Sequence, residues 1–89
     1  MEPFDLLGKL TKAVCFTFNK DATRPGVTIS HLRNGSYYCS IVRHLKTGKL
    51  VVLKSSKPSL QEVLTDVSSM FLETYKVRDP MQDLLEALK

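Results

Sequence analysis

Between Val27 and Val77 the apolar positions recur first every second residue and then every three to four. That change of period predicts three short strands followed by one long amphipathic helix. Turns fall at Asn34-Gly35 and Thr47-Gly48. Asn-Gly suits a two-residue hairpin loop, but such a loop would pair Ile29 with Ser40 and Thr28 with Ile41, mixing polar and apolar residues on both faces. A three-residue loop, Arg33-Asn34-Gly35 with Gly35 left-handed, pairs Ile29 with Cys39, Val27 with Ile41 and His31 with Tyr37 instead. A slip of one residue turns every side chain to the other face, so face matching selects the three-residue loop. The same reasoning at Lys46-Thr47-Gly48 sets Ile41 opposite Leu53 and Arg43 opposite Val51. The expected core face is Val27, Ile29, Cys39, Ile41, Val51 and Leu53. The second face holds Thr28, Ser30, Tyr38, Ser40, Val42, His44, Leu50, Val52 and Lys54, a mixture that is not simply a wet surface.

Ser59-Leu60-Gln61-Glu62 matches a capping box, the signature of a helix start. After it, Leu60, Val63, Leu64, Val67, Phe71 and Tyr75 form an apolar stripe, bordered by Met70 and Thr74. The expected wet side is Gln61, Glu62, Thr65, Asp66, Ser68, Ser69, Glu73 and Lys76. Asp79-Pro80-Met81-Gln82 reads as a second helix start, with Met81, Leu84, Leu85 and Leu88 as an apolar face too short to stand alone. Upstream, Phe4, Leu7 and Leu10 suit a short helix over 3–12. The alternation of Val14, Phe16 and Phe18 predicts a strand over 13–18. Residues 19–26 then read as a loop, with a tight turn at Pro25-Gly26.

Together these elements predict an α+β fold. A three- or four-stranded antiparallel β-meander packs on one long C-terminal amphipathic helix, with short N- and C-terminal helices. One domain covers 1–89: a lead-in over 1–25, a β-β-β-α unit over 26–77 and a short helix over 78–89. A chain of 89 residues has a thin core, burying only about 60–65% of its unfolded surface, so it gains from any partner.

Composition adds a polarity. The net charge is +4. Residues 1–57 carry Lys9, Lys12, Lys20, Arg24, Arg33, Arg43, Lys46, Lys49, Lys54 and Lys57 against Glu2, Asp5 and Asp21. Residues 58–89 are acidic on balance. A basic strand half and an acidic helical half bear on partners rather than on fold. No apolar run approaches the ~20 residues of a membrane span, and the acidic N-terminus does not resemble a signal peptide. Two cysteines are too few for a disulfide scaffold, so a cytoplasmic location is expected.

Catalytic chemistry is not indicated. Cys39 and His44 fall on opposite faces of the expected sheet, and a metal site needs ligands that converge. Glu62 and Asp66 lie on the wet side of the long helix. No phosphate loop or nucleophile motif is present, so neither enzyme activity nor a cofactor, metal or small-molecule substrate is expected. Binding is better motivated. Tyr38, His44 and Lys54 share the second sheet face, with Arg33, Lys46 and Lys49 at or beside the turns. These six residues are the candidate contact face for a protein or for DNA or RNA. Met81, Leu84, Leu85 and Leu88 are candidate contacts for a second copy.

The order strand–Asn34-Gly35–strand–Thr47-Gly48–strand–helix resembles the DNA-binding sheet domains of phage and transposon integrase arms. The run Pro58-Ser59-Leu60-Gln61-Glu62-Val63-Leu64 is similar to the strand-to-helix junction of HicB-type antitoxin domains. Both likenesses are topological and span about fifty of the 89 residues. Neither identifies a family; small domains without a catalytic signature often belong to phages, mobile elements or accessory systems. Fold likeness alone does not transfer function. The expected function is therefore a small, dimeric, non-enzymatic interaction module that acts by binding another protein, inhibition being one form such binding takes. The alternative is a nucleic-acid-binding domain that uses the basic sheet.

Overall fold

A computed structural model describes residues 2–18, 24–75 and 82–88. The elements run α1 (Pro3–Phe18), β1 (Arg24–His31), β2 (Tyr37–Leu45), β3 (Gly48–Lys57), α2 (Leu60–Thr74) and α3 (Gln82–Ala87). The fold is α+β, with one antiparallel sheet in the order β1-β2-β3. Side chains from all three helices meet Cys39 and Ile41 of β2 in a single core. The molecule is therefore two layers, helices on one face of a three-stranded sheet, measuring 36 × 32 × 19 Å.

The largest departure from the sequence reading is at the N-terminus. Residues 13–18 are not a strand: α1 runs unbroken for 16 residues, so the sheet has three strands and the leading helix is not short. Leu6, Leu10, Val14 and Phe18 stand four apart and are all buried, with Ala13 beside them. That is the continuous stripe of an amphipathic helix. Val14, Phe16 and Phe18 also alternate, so this segment satisfied both periods. The helix already formed over 3–12 decides between them, because extending a helix fixes one more residue per hydrogen bond whereas a new strand must find a partner.

A second departure is at Pro25-Gly26. This pair is not a turn but part of β1, with Pro25 opposite Arg43 and Gly26 opposite Val42. Proline is tolerated there because β1 is an edge strand, where one backbone N–H in two has no ladder partner. A Cβ on Gly26 would lie 3.9 Å from Val42 Cγ2, an ordinary van der Waals contact on the face away from the helices.

The first hairpin has the expected register, with Ile29 opposite Cys39, Val27 opposite Ile41 and His31 opposite Tyr37. The Leu32 N–H donates to Ser36 O, and the Gly35 N–H donates to Leu32 O. Gly35 has φ +87°, a conformation open to glycine and costly for residues with a Cβ. The Asn34 side chain accepts from the Ser36 N–H and braces the loop. At the tip His31 and Tyr37 stack face to face, 4.4 Å apart and 3° from parallel.

The second hairpin differs. Ile41 does face Leu53, but Val42 faces Val51 and Arg43 faces Leu50, with a register shift between Ile41 and Val42. Val52 is the extra residue of a bulge, and the turn is the pair Lys46-Thr47 between Leu45 and Gly48. One inserted residue reverses the faces beyond it. Val51 therefore leaves the core face and is 41% exposed, whereas Val52 packs against the core.

Helix α2 begins as expected: Ser59 caps it, its Oγ accepting from the Glu62 N–H at 3.1 Å. Val63, Leu64, Val67 and Phe71 are fully buried. Ser68 is buried too, contrary to its expected place on the wet side, and its Oγ has no hydrogen-bond partner. A single helix on a sheet buries a narrower arc; α1 packed alongside α2 widens the arc that is closed to water. The expected cap at Asp79-Pro80 lies outside the described residues. Leu84 of α3 is buried in the shared core, and Leu88 packs against it.

Candidate functional site

No described helix lies on the face of the sheet turned away from the core. By register its rows are Gly26–Val42–Val51, Thr28–Ser40–Lys54 and Ser30–Tyr38–Ser56, followed by Arg24–His44–Lys49. Three of the six expected contact residues, Tyr38, His44 and Lys54, do share it. The bulge adds Lys49, which the sequence placed only beside a turn, and removes Leu50 and Val52. Arg33 and Lys46 occupy the two turns, at opposite ends of β2, and both are exposed.

Short side chains occupy the centre of the face. Val42 and Ser40 are 1% and 2% exposed although no helix covers them. Ser40 Oγ and Thr28 Oγ1 lie 2.5 Å apart across the β1–β2 ladder, sharing one proton donor. Around this low centre stand the longer groups Tyr38, His44, Lys49 and Lys54.

Charge separates by layer. From Ala22 to Gln61 there is no Asp or Glu, while the strands and turns between carry Arg24, Arg33, Arg43, Lys46, Lys49, Lys54 and Lys57. The described carboxylates all lie on or beside the helices. Two sheet cations are engaged with that layer. Arg43 sits 4.8 Å above the Phe18 ring, and Lys57 lies 4.0 Å from Asp66, which also accepts from Ser55 Oγ. Arg33, Lys46, Lys49 and Lys54 have no carboxylate partner among the described residues.

Of the four candidates for self-contact, Leu84 is wholly buried within the chain, Leu85 and Leu88 are half-buried, and Met81 lies outside the described residues. The exposed apolar groups lie elsewhere: Leu45 and Leu50 share the helix-side face of the sheet beside the β2–β3 turn, Val51 stands on the outer face, Leu32 lies beside the first turn and Phe4 opens α1. Sequence reading missed the exposure of Val51 because the bulge turns it to the outer face.

The thiols differ sharply. Cys39 is buried among the core side chains, and that burial pushes its pKa up from 9.0 to about 11. The thiolate is the reactive species, and burial disfavours it at Cys39 near neutral pH. Cys15 is exposed on α1. A disulfide reagent at pH 8 is therefore expected to titrate one thiol rapidly in the folded protein and two after denaturation. Rapid reaction of both in the folded state would contradict the packing around Cys39. A raised folded-state pKa also means that the stability tied to the neutral thiol is intact below pH 9. It falls as pH rises toward 11.

Among the described residues no three His, Cys, Asp or Glu side chains gather as for a metal. No described helix is long and apolar enough to cross a membrane. Open grooves lie beside Lys57, Gln61 and Asp66 and beside Phe4, Lys9 and Asp83. Both mix opposite charges rather than enclosing an apolar cavity. Neither family models, curated proteins nor solved structures give a match to this chain.

Proposed function

We propose that the protein is a non-enzymatic binding module that holds a nucleic acid against the outer face of its sheet. One observation carries this reading: the sheet layer has no acidic residue, and four of its cations have no carboxylate partner among the described residues, on or beside a face that no described helix covers. Such a surface attracts polyanions, and Lys and Arg contacts to phosphate supply most non-specific affinity. Tyr38, Ser30 and Ser56 add hydroxyl donors of the kind that meet phosphate oxygens. Lysines on an edge strand also discourage unwanted strand pairing, but that role does not account for Arg33 and Lys46 in the turns.

The test is binding to labelled DNA and RNA at low and moderate salt. Affinity is expected to fall steeply with salt and to drop by roughly 100-fold when Arg33, Lys46 and Lys49 are all replaced by alanine, at about 1 kcal/mol or slightly less per contact. Absence of binding at low salt would sink the reading.

Leu45 and Leu50, exposed on one face beside the β2–β3 turn, favour a second reading, a protein-interaction module that docks a second copy at that end of the sheet. Exposed apolar clusters beside a free strand edge are characteristic docking surfaces. On this reading the mass in sedimentation rises with concentration and Leu50→Lys abolishes the rise. A monomer at all concentrations removes it.

A further inference from the structure

Resting on the nucleic-acid reading, we propose that the outer face takes a duplex by its phosphate backbone and not a splayed single strand. Proteins that hold single strands stack successive bases on several aromatic side chains. Here Tyr38 is the only Phe, Tyr or Trp in the four rows of the face. Phe18, Phe71 and Tyr75 are committed to the helical layer, and Tyr37 packs against the core.

His44 is the only other ring on the outer face, six residues along β2 from Tyr38. At about 3.4 Å per residue the two rings stand ~20 Å apart. Between them lie Ser40 and Val42, both buried, so no continuous stacking platform connects them. Two isolated rings give adjacent bases nothing to stack on.

What the face does offer suits a stiff rod. Its tall polar groups are hydroxyl, imidazole and ammonium, which are donors to phosphate. The unpaired cations stand at the ends and along one edge: Arg33 in the first turn, Lys46 in the second, and Lys49 and Lys54 on β3. The nine residues of β2 separate the turns by ~30 Å. A duplex carries one charge per ~1.7 Å of axis, so a straight segment reaches both ends at once without bending. A flexible strand reaches both only by losing its freedom. DNA and RNA duplexes share this phosphate chemistry.

The experiment is fluorescence anisotropy with the full chain, using a DNA duplex of about 20 base pairs, an RNA duplex of the same sequence and each single strand. Salt is set at about 50 and about 200 mM. Both duplexes are expected to bind at least ~10-fold more tightly than the single strands. With about four phosphates neutralised, duplex affinity should fall about 100-fold between the two salts. Lys54→Glu should weaken duplex binding by roughly 10-fold and lower the salt slope, while Lys12→Glu, on the helical layer, changes neither. Tyr38→Ala should alter duplex affinity less than about 3-fold, because a base-stacking role would cost far more. A preference between the two duplexes, or none, identifies the helical form and upholds the proposal. Single strands that bind as tightly as duplexes, with the binding lost in Tyr38→Ala, overturn it while leaving the nucleic-acid reading intact. No binding by any probe at the lower salt removes both. Circular dichroism of each variant shows that a lost affinity is not a lost fold.

Discussion

Val14→Pro is expected to destabilise the protein by at least ~3 kcal/mol and to remove helical signal in the far ultraviolet. Val14 is fully buried in the second half of α1. Proline there removes a backbone donor and drives its ring into the carbonyl of Leu10, four residues back. The kink would also displace Phe18, whose ring packs edge-on against Tyr75 at 5.2 Å and lies under the Arg43 guanidinium. Val14→Ala is the control. It loses only side-chain volume, for about 1–2 kcal/mol, and alanine favours a helix. Urea unfolding separates the two through the transition midpoint. If the proline variant is as stable as the alanine variant, residues 13–18 are not helical and the core as described is wrong.

The same segment shows where sequence reading runs out. Val14, Phe16 and Phe18 fit an alternating strand and also, through Leu6, Leu10, Val14 and Phe18, a helical stripe. Over six residues the two periods cannot be separated; only continuity with residues 3–12 distinguishes them. At β3 the difficulty is the reverse. Leu50-Val51-Val52-Leu53 is uniformly apolar, so alternation carries no register information, and the bulge at Val52 was not visible. Where polar and apolar residues alternate cleanly, as in Val27–His31 and Tyr37–Ile41, face matching gave the observed pairing and the left-handed Gly35. The candidate face followed the same rule. Tyr38, His44 and Lys54 lie on well-patterned stretches or opposite them, and they do share a face. Lys49 joined them, and Val51 turned to the outer face, only through the bulge. Ser68 was misplaced because the arc buried on α2 depends on α1, and α1 had been cut short.

Phe71→Ala is expected to cost about 3–5 kcal/mol, much of the margin available to a domain of this size at roughly 0.05–0.15 kcal/mol per residue. Phe71 is the largest of the fully buried side chains and sits near the C-terminal end of α2. Its ring lies 5.1 Å from Tyr75, which in turn meets Phe18 of α1. Three rings thus join the two long helices where α1 ends. Truncation removes one link and leaves a cavity that Ser68, rigid on the same helix, cannot fill. Phe71→Leu keeps most of the volume and should cost under about 1.5 kcal/mol. Equilibrium unfolding in urea reads both, as a fall in midpoint at unchanged slope. A Phe71→Ala variant within about 1 kcal/mol of the parent would show that the α1–α2 contact is not closed in solution. The outer face of the sheet is built without Phe71. At temperatures where Phe71→Ala remains folded, its affinity for nucleic acid should therefore match the parent's, which separates the layer that stabilises the fold from the layer proposed to bind.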